Sequence, residues 1–202
     1  MLETFFSAFQ GPGAAFTYAI LAIFAYGLTI FVERLLQYEK KWKIDKTQLN
    51  QLLSAQKWSE AQAHLGEHPA GLLLEAKNKQ GLFSWDSLAM AAPLIENKTR
   101  QRISSLNLVA NISTMLGLLG TVYGLIFALE GLEQASSIER TSRLSEGIGA
   151  AMLTTAWGLL VGIPAMFAHN ILSNKAEQIL AFCESTAARI LVFQNHSSKE
   201  QE

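Results

Sequence analysis

The chain has 202 residues, half of them hydrophobic and only 16% charged, with a mean hydropathy of +0.19. A net charge of −1 gives no reason to expect a nucleic-acid partner. The single cysteine, Cys183, excludes an internal disulfide and any multi-cysteine metal site, and reads as a small apolar side chain on a helix.

Residues 1–12, MLETFFSAFQGP, place Leu2, Phe5, Phe6 and Phe9 on one helical face, which predicts a short periplasmic amphipathic helix at the membrane surface. Gly11 and Pro12 then break the chain. Residues 13–32, GAAFTYAILAIFAYGLTIFV, are apolar over the ~20 residues that a bilayer crossing needs. No Lys or Arg precedes this run, and Glu33 and Arg34 follow it, so it reads as an uncleaved membrane anchor rather than a signal peptide.

Residues 33–105 predict a helical cytoplasmic domain. LNQLLSAQKWSEAQAHL sets Leu49, Leu52, Leu53, Trp58, Ala61 and Leu65 at helical intervals. A further helix follows Pro69 in PAGLLLEAKNKQ, and GLFSWDS reads as a connector. So small a domain hardly buries a core alone, and is expected to pack on extensions of the membrane helices or on neighbouring subunits. After Pro93 no helix breaker occurs before Gly117, which predicts one helix from Leu94 to Leu129, roughly 54 Å long.

Two further spans are expected at 106–129 and 148–172, separated by a periplasmic loop at 130–147 and followed by a cytoplasmic helical tail at 173–202. No Pro or Gly follows Pro164, and Ile171, Ala176, Ile179, Cys183, Ala187 and Ile190 continue an apolar stripe. The fold class is therefore an all-α integral membrane protein. It has three transmembrane helices, the second and third extended far into the cytoplasm, and a small helical cytoplasmic domain. Arg34, Lys40, Lys41, Lys43 and Lys46 cluster after the first span, whereas the 130–147 loop carries only Arg140 and Arg143. The positive-inside rule thus sets the N-terminus in the periplasm and the C-terminus in the cytoplasm.

The later spans are rich in small and hydroxyl residues. Ile148, Ala151, Thr155, Gly158, Gly162, Ala165 and His169 share one face of the third; Thr114, Gly117, Thr121, Gly124 and Ala128 share one face of the second. Gly120–Gly124 and Gly158–Gly162 are GxxxG pairs, which let membrane helices approach closely. Two readings stand side by side. Either the stripes only pack helices and the hydroxyls bond back to their own helix, or Thr121 and Thr155 line a polar cavity that hosts a protonatable group. No span contains an internal Asp, Glu, Lys or Arg, so any titrating group on an ion path must come from another chain. His169 reads as an interfacial cap. Glu130 and Glu146, at the edges of the outer loop, are either solvated charges or a mouth that gathers cations. Pro164 removes a backbone donor, and marks either a kink or the point where a pore widens.

LGLLGTVYGLI followed by SEGIGAAMLTTAWGLLVGIPAMFAHNIL resembles the MotA/TolQ/ExbB proton channel family over Leu106–Asn174. Length and span number set the chain nearest the ExbB/TolQ branch. The resemblance implies a homo-oligomer, a ring of five, around a dimer of an ExbD/TolR-like single-span partner with a membrane aspartate. A TonB/TolA-like energy transducer is a further implied partner. It implies a bacterial inner-membrane motor complex that uses the proton-motive force, or sodium, for work on the envelope, with H+ or Na+ as the transported ion and no cofactor. It puts Thr121, Thr155 and the neighbouring Thr154 on the ion pathway facing that aspartate. Gly117, Gly120, Gly124, Ala151, Gly158, Gly162 and Pro164 are then packing and pore-lining residues. The family's third-span glutamate corresponds to Ala150 here; either Glu146, about one turn further out, substitutes, or this branch does without it. The competing readings are a non-conducting scaffold assembled through GxxxG packing and a membrane-embedded enzyme. The enzyme is disfavoured because the spans lack a Ser–His pair at catalytic spacing and any aspartate pair.

Overall fold

The computed structural model describes residues 13–42, 44–80, 85–130 and 137–199. The amphipathic helix expected over 1–12 lies outside the described residues, as do positions 131–136 of the expected outer loop. Among the described residues every regular element is helical: α1 (Ala14–Leu36), a π-helical turn (Gln37–Lys41), α2 (Lys46–Ser54), α3 (Trp58–Leu65), α4 (Gly71–Gln80), α5 (Trp85–Arg100), α6 (Ile103–Glu130) and α7 (Ser137–Lys199). Three helical stretches are long and apolar enough to cross a membrane, one each in α1, α6 and α7. The chain divides into two compact units, Met1–Val32 with Arg102–Asn170, and Glu33–Gln101 with Ile171–Glu202.

The first unit is built the opposite way round from a water-soluble bundle. On α6 the buried positions include Ala110, Ser113, Gly117, Gly120, Gly124 and Ala128, all small. Leu118, Leu119, Val122, Leu125, Ile126 and Phe127 point outward. The first half of α7 repeats this, burying Ala151, Thr154, Gly158 and Ala165 while exposing Met152, Leu160, Ile163 and Phe167. Large apolar side chains gain nothing by leaving hydrocarbon, whereas small ones let backbones meet, so this pattern is that of membrane helices. Helix α7 continues through Pro164.

The second unit has an ordinary apolar core. Asp45 caps α2, its carboxylate accepting from the Thr47 and Gln48 amides. The chain then reverses through Gln56 and Gly66, both at positive φ (57° and 50°). Leu49, Leu53, Leu65, Leu73, Leu74 and Ile95 from α2–α5 are buried together with Cys183, Ala187 and Ile190 of α7. The small domain thus takes one wall of its core from the C-terminal part of the last helix. Tyr38 Oη donates to the Thr99 carbonyl at 2.6 Å, tying the π-helical turn to α5.

One expectation fails. No single helix runs from Leu94 to Leu129: α5 ends at Arg100, α6 starts at Ile103, and Arg102 between them has φ +64°. Neither Gly nor Pro marks this break, and it falls where the chain passes from one unit to the other. Pro93, read as the start of that helix, lies inside α5, whose first residue is Trp85.

Candidate functional site

Helices α6 and α7 meet in antiparallel order through their small residues. Gly162 faces Thr114 and Ala110, Gly158 faces Gly117 and Ser113, Gly120 faces Thr154, Gly124 faces Ala151, and Gly147 faces Ala128. A β-carbon on Gly158 would lie 2.7 Å from the Ser113 carbonyl oxygen and 2.9 Å from the Gly117 α-carbon, so here backbone touches backbone. On Gly124 it would come 2.9 Å from the Ala151 β-carbon. Both GxxxG pairs therefore serve the α6–α7 contact within one chain. Helix α1 and the residue before it join them, since a β-carbon on Gly13 would lie 2.6 Å from the Thr154 methyl and one on Gly27 of α1 2.9 Å from a Val109 methyl.

Against this contact the hydroxyls take different positions. Thr154 is 1% exposed and donates back to the Ala151 carbonyl at 2.7 Å. Thr155 is half-buried, and its Oγ1 donates across the interface to the Gly117 carbonyl at 3.1 Å. Thr121 is half-buried and donates to the Leu118 carbonyl at 2.6 Å, while Thr114 donates to Ala110 at 2.9 Å. The buried line of α6 runs through Ser113, Gly117, Gly120, Gly124 and Ala128 rather than through Thr114 and Thr121. On α7, likewise, Thr154 is buried and Thr155 sits at the flank. Thr121 and Thr155 thus stand at the edges of the packed seam, where a hydroxyl keeps lone pairs for a further partner. Glu146 is exposed on α7 above the seam, and Pro164 is exposed further along.

Two residues carry features that the sequence did not signal. Ser113 is fully buried and its hydroxyl has no partner. It lies one turn before Gly117 on the small stripe, and that spacing was the available clue. Arg34, counted in the sequence only as a positive charge, is 3% exposed. Its guanidinium donates to the neutral amides of Gln37 at 2.7 Å and Gln101 at 3.2 Å.

Residues 69–185, more than half of the chain, match the model of the MotA/TolQ/ExbB proton channel family. The chain belongs to this family. Over 81 residues it is 42% identical to the biopolymer transport protein exbB1 of Vibrio cholerae, covering 40% of this chain and 36% of that protein. It is 38% identical over 81 residues to the Tol-Pal system protein TolQ of Haemophilus influenzae, covering 39% and 34%. Against the biopolymer transport protein ExbB of Salmonella typhimurium the identity is 32% over 87 residues, covering 43% and 35%. The matches thus span about a third of the length of these relatives. Within the MotA/TolQ/ExbB family the chain sits with the ExbB/TolQ branch. Together with the three apolar helices, this makes it a multi-pass inner-membrane protein.

Proposed function

We propose that this chain is the ring-forming subunit of an inner-membrane motor complex of the ExbB/TolQ type, conducting protons to a single-span partner that carries the titrating aspartate. One observation carries the reading. In a member of a proton channel family, the three apolar spans hold no internal Asp, Glu, Lys or Arg, yet two hydroxyls, Thr121 and Thr155, stay half-buried at the edge of a tightly packed seam. An unpaired carboxylate in hydrocarbon would stay protonated, so it needs polar company to cycle. Thr155 can give it in both states. While donating to Gly117, its oxygen can accept from a protonated carboxyl; turned away from Gly117, it can donate to the carboxylate. The Gly117 carbonyl belongs to the ladder of α6 as well, so releasing Thr155 leaves it satisfied.

A ring of five subunits around a partner dimer follows from this reading, with the N-terminus periplasmic and the second unit cytoplasmic. An energy transducer of the TonB or TolA kind would carry the work to the envelope. The scaffold alternative loses its main support, because the glycine pairs it would use between subunits are engaged inside one chain. The test is ion entry into cells carrying this chain with its single-span partner, followed with proton- and sodium-sensitive dyes. The wild type should admit protons, and Thr155→Val and the partner's Asp→Asn should each abolish entry. Unchanged flux in either variant would sink the proposed pairing, and a response of the sodium dye alone would replace the ion.

A further inference from the structure

In the second unit, the residues that follow α1 form part of the wall of a cavity of about 240 Å3. Tyr38, Trp42, Lys46, His68, Lys175 and Phe182 line it. A hollow of about 480 Å3 shares Lys46, Gln178 and Phe182 with it and adds Arg189. Among the described residues no acidic side chain lines either one. Lys175 bonds Glu39 at 2.7 Å, but that carboxylate is 60% exposed, so the ion pair is weak and the ammonium can exchange it for another anion. Arg189, among the described residues, bonds the neutral Asn50. Among the described residues Lys46 has no ion-pair partner, and its ammonium stands 5.5 Å over the Phe182 ring. Further cations stand near: Arg34 and Arg100 act on Tyr38, and Lys98 acts on His68.

The neutral groups of the wall add donors. His68 Nδ1 accepts from the Ala70 amide at 3.1 Å, so the neutral ring carries its proton on Nε2. The Trp42 indole N–H is buried and has no acceptor. Ammonium groups, an imidazole N–H, an indole N–H and the Gln178 amide match an anion with several acceptor oxygens better than a planar carboxylate. The volume is below the usual 300–1,000 Å3 range of drug-sized ligand pockets, which suits a compact charged group on a short polar body.

We propose that this cavity binds a phosphate ester, held between Lys46 and Lys175 with Trp42 and His68 as neutral donors. The site is separate from the threonine seam and does not depend on the channel reading. Its phosphate could be that of a lipid headgroup, because the wall begins just after an apolar helix, or that of a soluble monoester. The full chain, purified in detergent, is titrated in one arm with dioleoylphosphatidylglycerol, with dioleoylglycerol as the phosphate-free control, read by native mass spectrometry. The other arm titrates glycerol 3-phosphate by calorimetry. The double variant Lys46→Gln/Lys175→Gln should weaken binding about thirty-fold, since each lysine near a phosphate contributes about a factor of five. Lys57→Gln, an exposed change in the same unit, should leave it unchanged. Glu39→Gln, which frees Lys175 from an exposed ion pair, should tighten it by up to about fivefold. This pattern with the lipid supports a headgroup site, and with glycerol 3-phosphate a site for a soluble ester. No binding in either arm, equal weakening by Lys57→Gln, or wild-type affinity in the double variant overturns the proposal.

Discussion

At Gly158 a single hydrogen replaces what would be a collision. A methyl there would press on the Ser113 carbonyl and the Gly117 α-carbon, and neither can move without shifting a helix. Gly158→Ala should therefore destabilise the first unit by about 1–3 kcal/mol, as overpacking does. Nothing lies within 4 Å of a β-carbon on Gly149, so Gly149→Ala on the same helix should be neutral or stabilise by up to about 1 kcal/mol. Thermal unfolding of the two variants in detergent separates them, and equal melting points would refute the close contact. His68 gives a second prediction. Burial, and after it the charge of Lys98, lowers its pKa from 6.5 to about 4. Above pH 6.5 the ring is neutral in the folded and unfolded chain, and stability does not depend on it. Below that pH the unfolded chain takes up a proton that the folded one refuses. Stability should fall by about 2 kcal/mol at pH 5 and by about 3 kcal/mol at the limit near pH 4. Melting curves at pH 7.5 and 5.0 should show the drop in wild type and a smaller one in His68→Gln; parallel drops would mean that another group titrates.

Between elements, the antiparallel seam and the break at Arg102 decide the architecture. Thr155 supplies a side-chain hydrogen bond across the seam, but Gly117 keeps its place in the helix ladder without it. Thr155→Val should thus lower stability by only about 0.6 kcal/mol, the average for such bonds between membrane helices. Loss of ion entry in that variant with its melting point nearly intact would assign the hydroxyl to conduction rather than to packing. The break itself is held by a residue poorly suited to it. Arg102 adopts a left-handed conformation that disfavours most side chains by about 1–2 kcal/mol. Arg102→Gly should preserve the break and Arg102→Ile should strain it, lowering the melting point relative to the glycine variant. The sequence read as uninterrupted helix here because Gln101 and Arg102 both favour helix locally. The turn becomes intelligible only with Gln101 accepting from the buried Arg34.

For the molecule as a whole, the second unit is discontinuous in sequence, since residues 33–101 fold around 171–202. Its core would be open without Cys183, Ala187 and Ile190 of α7. Ile190→Ala should destabilise that unit by about 2–5 kcal/mol. A chain ending before Leu172 should keep its membrane helices but lose protection from amide hydrogen exchange across α2–α5. Retained protection there would show that the domain folds alone. The sequence carried half of this: the apolar stripe from Ile171 to Leu191 announced a face needing cover, and the surface-to-volume argument said that 33–105 needed a wall. It offered extensions of the membrane helices and neighbouring subunits as possible walls but could not choose between them, because periodicity along one helix is blind to which distant face it meets.

By itself the sequence determined the class of molecule: long runs free of charge admit only a membrane solution, and the glycine and threonine stripes mark where helices approach. It left Thr121 and Thr155 as either packing or lining residues, since neighbours a few tens of degrees apart on a helix fit the same stripe. The tertiary structure decided which side of each stripe is closed, setting Gly120 and Thr154 in the seam and leaving Thr121 and Thr155 at its edge. It also brought Lys46, Lys175 and His68, far apart in the chain, around one cavity. The physical reason is the same in both cases. Hydropathy and small-residue spacing are properties of one helix, whereas closeness of backbones and the gathering of charges exist only between elements.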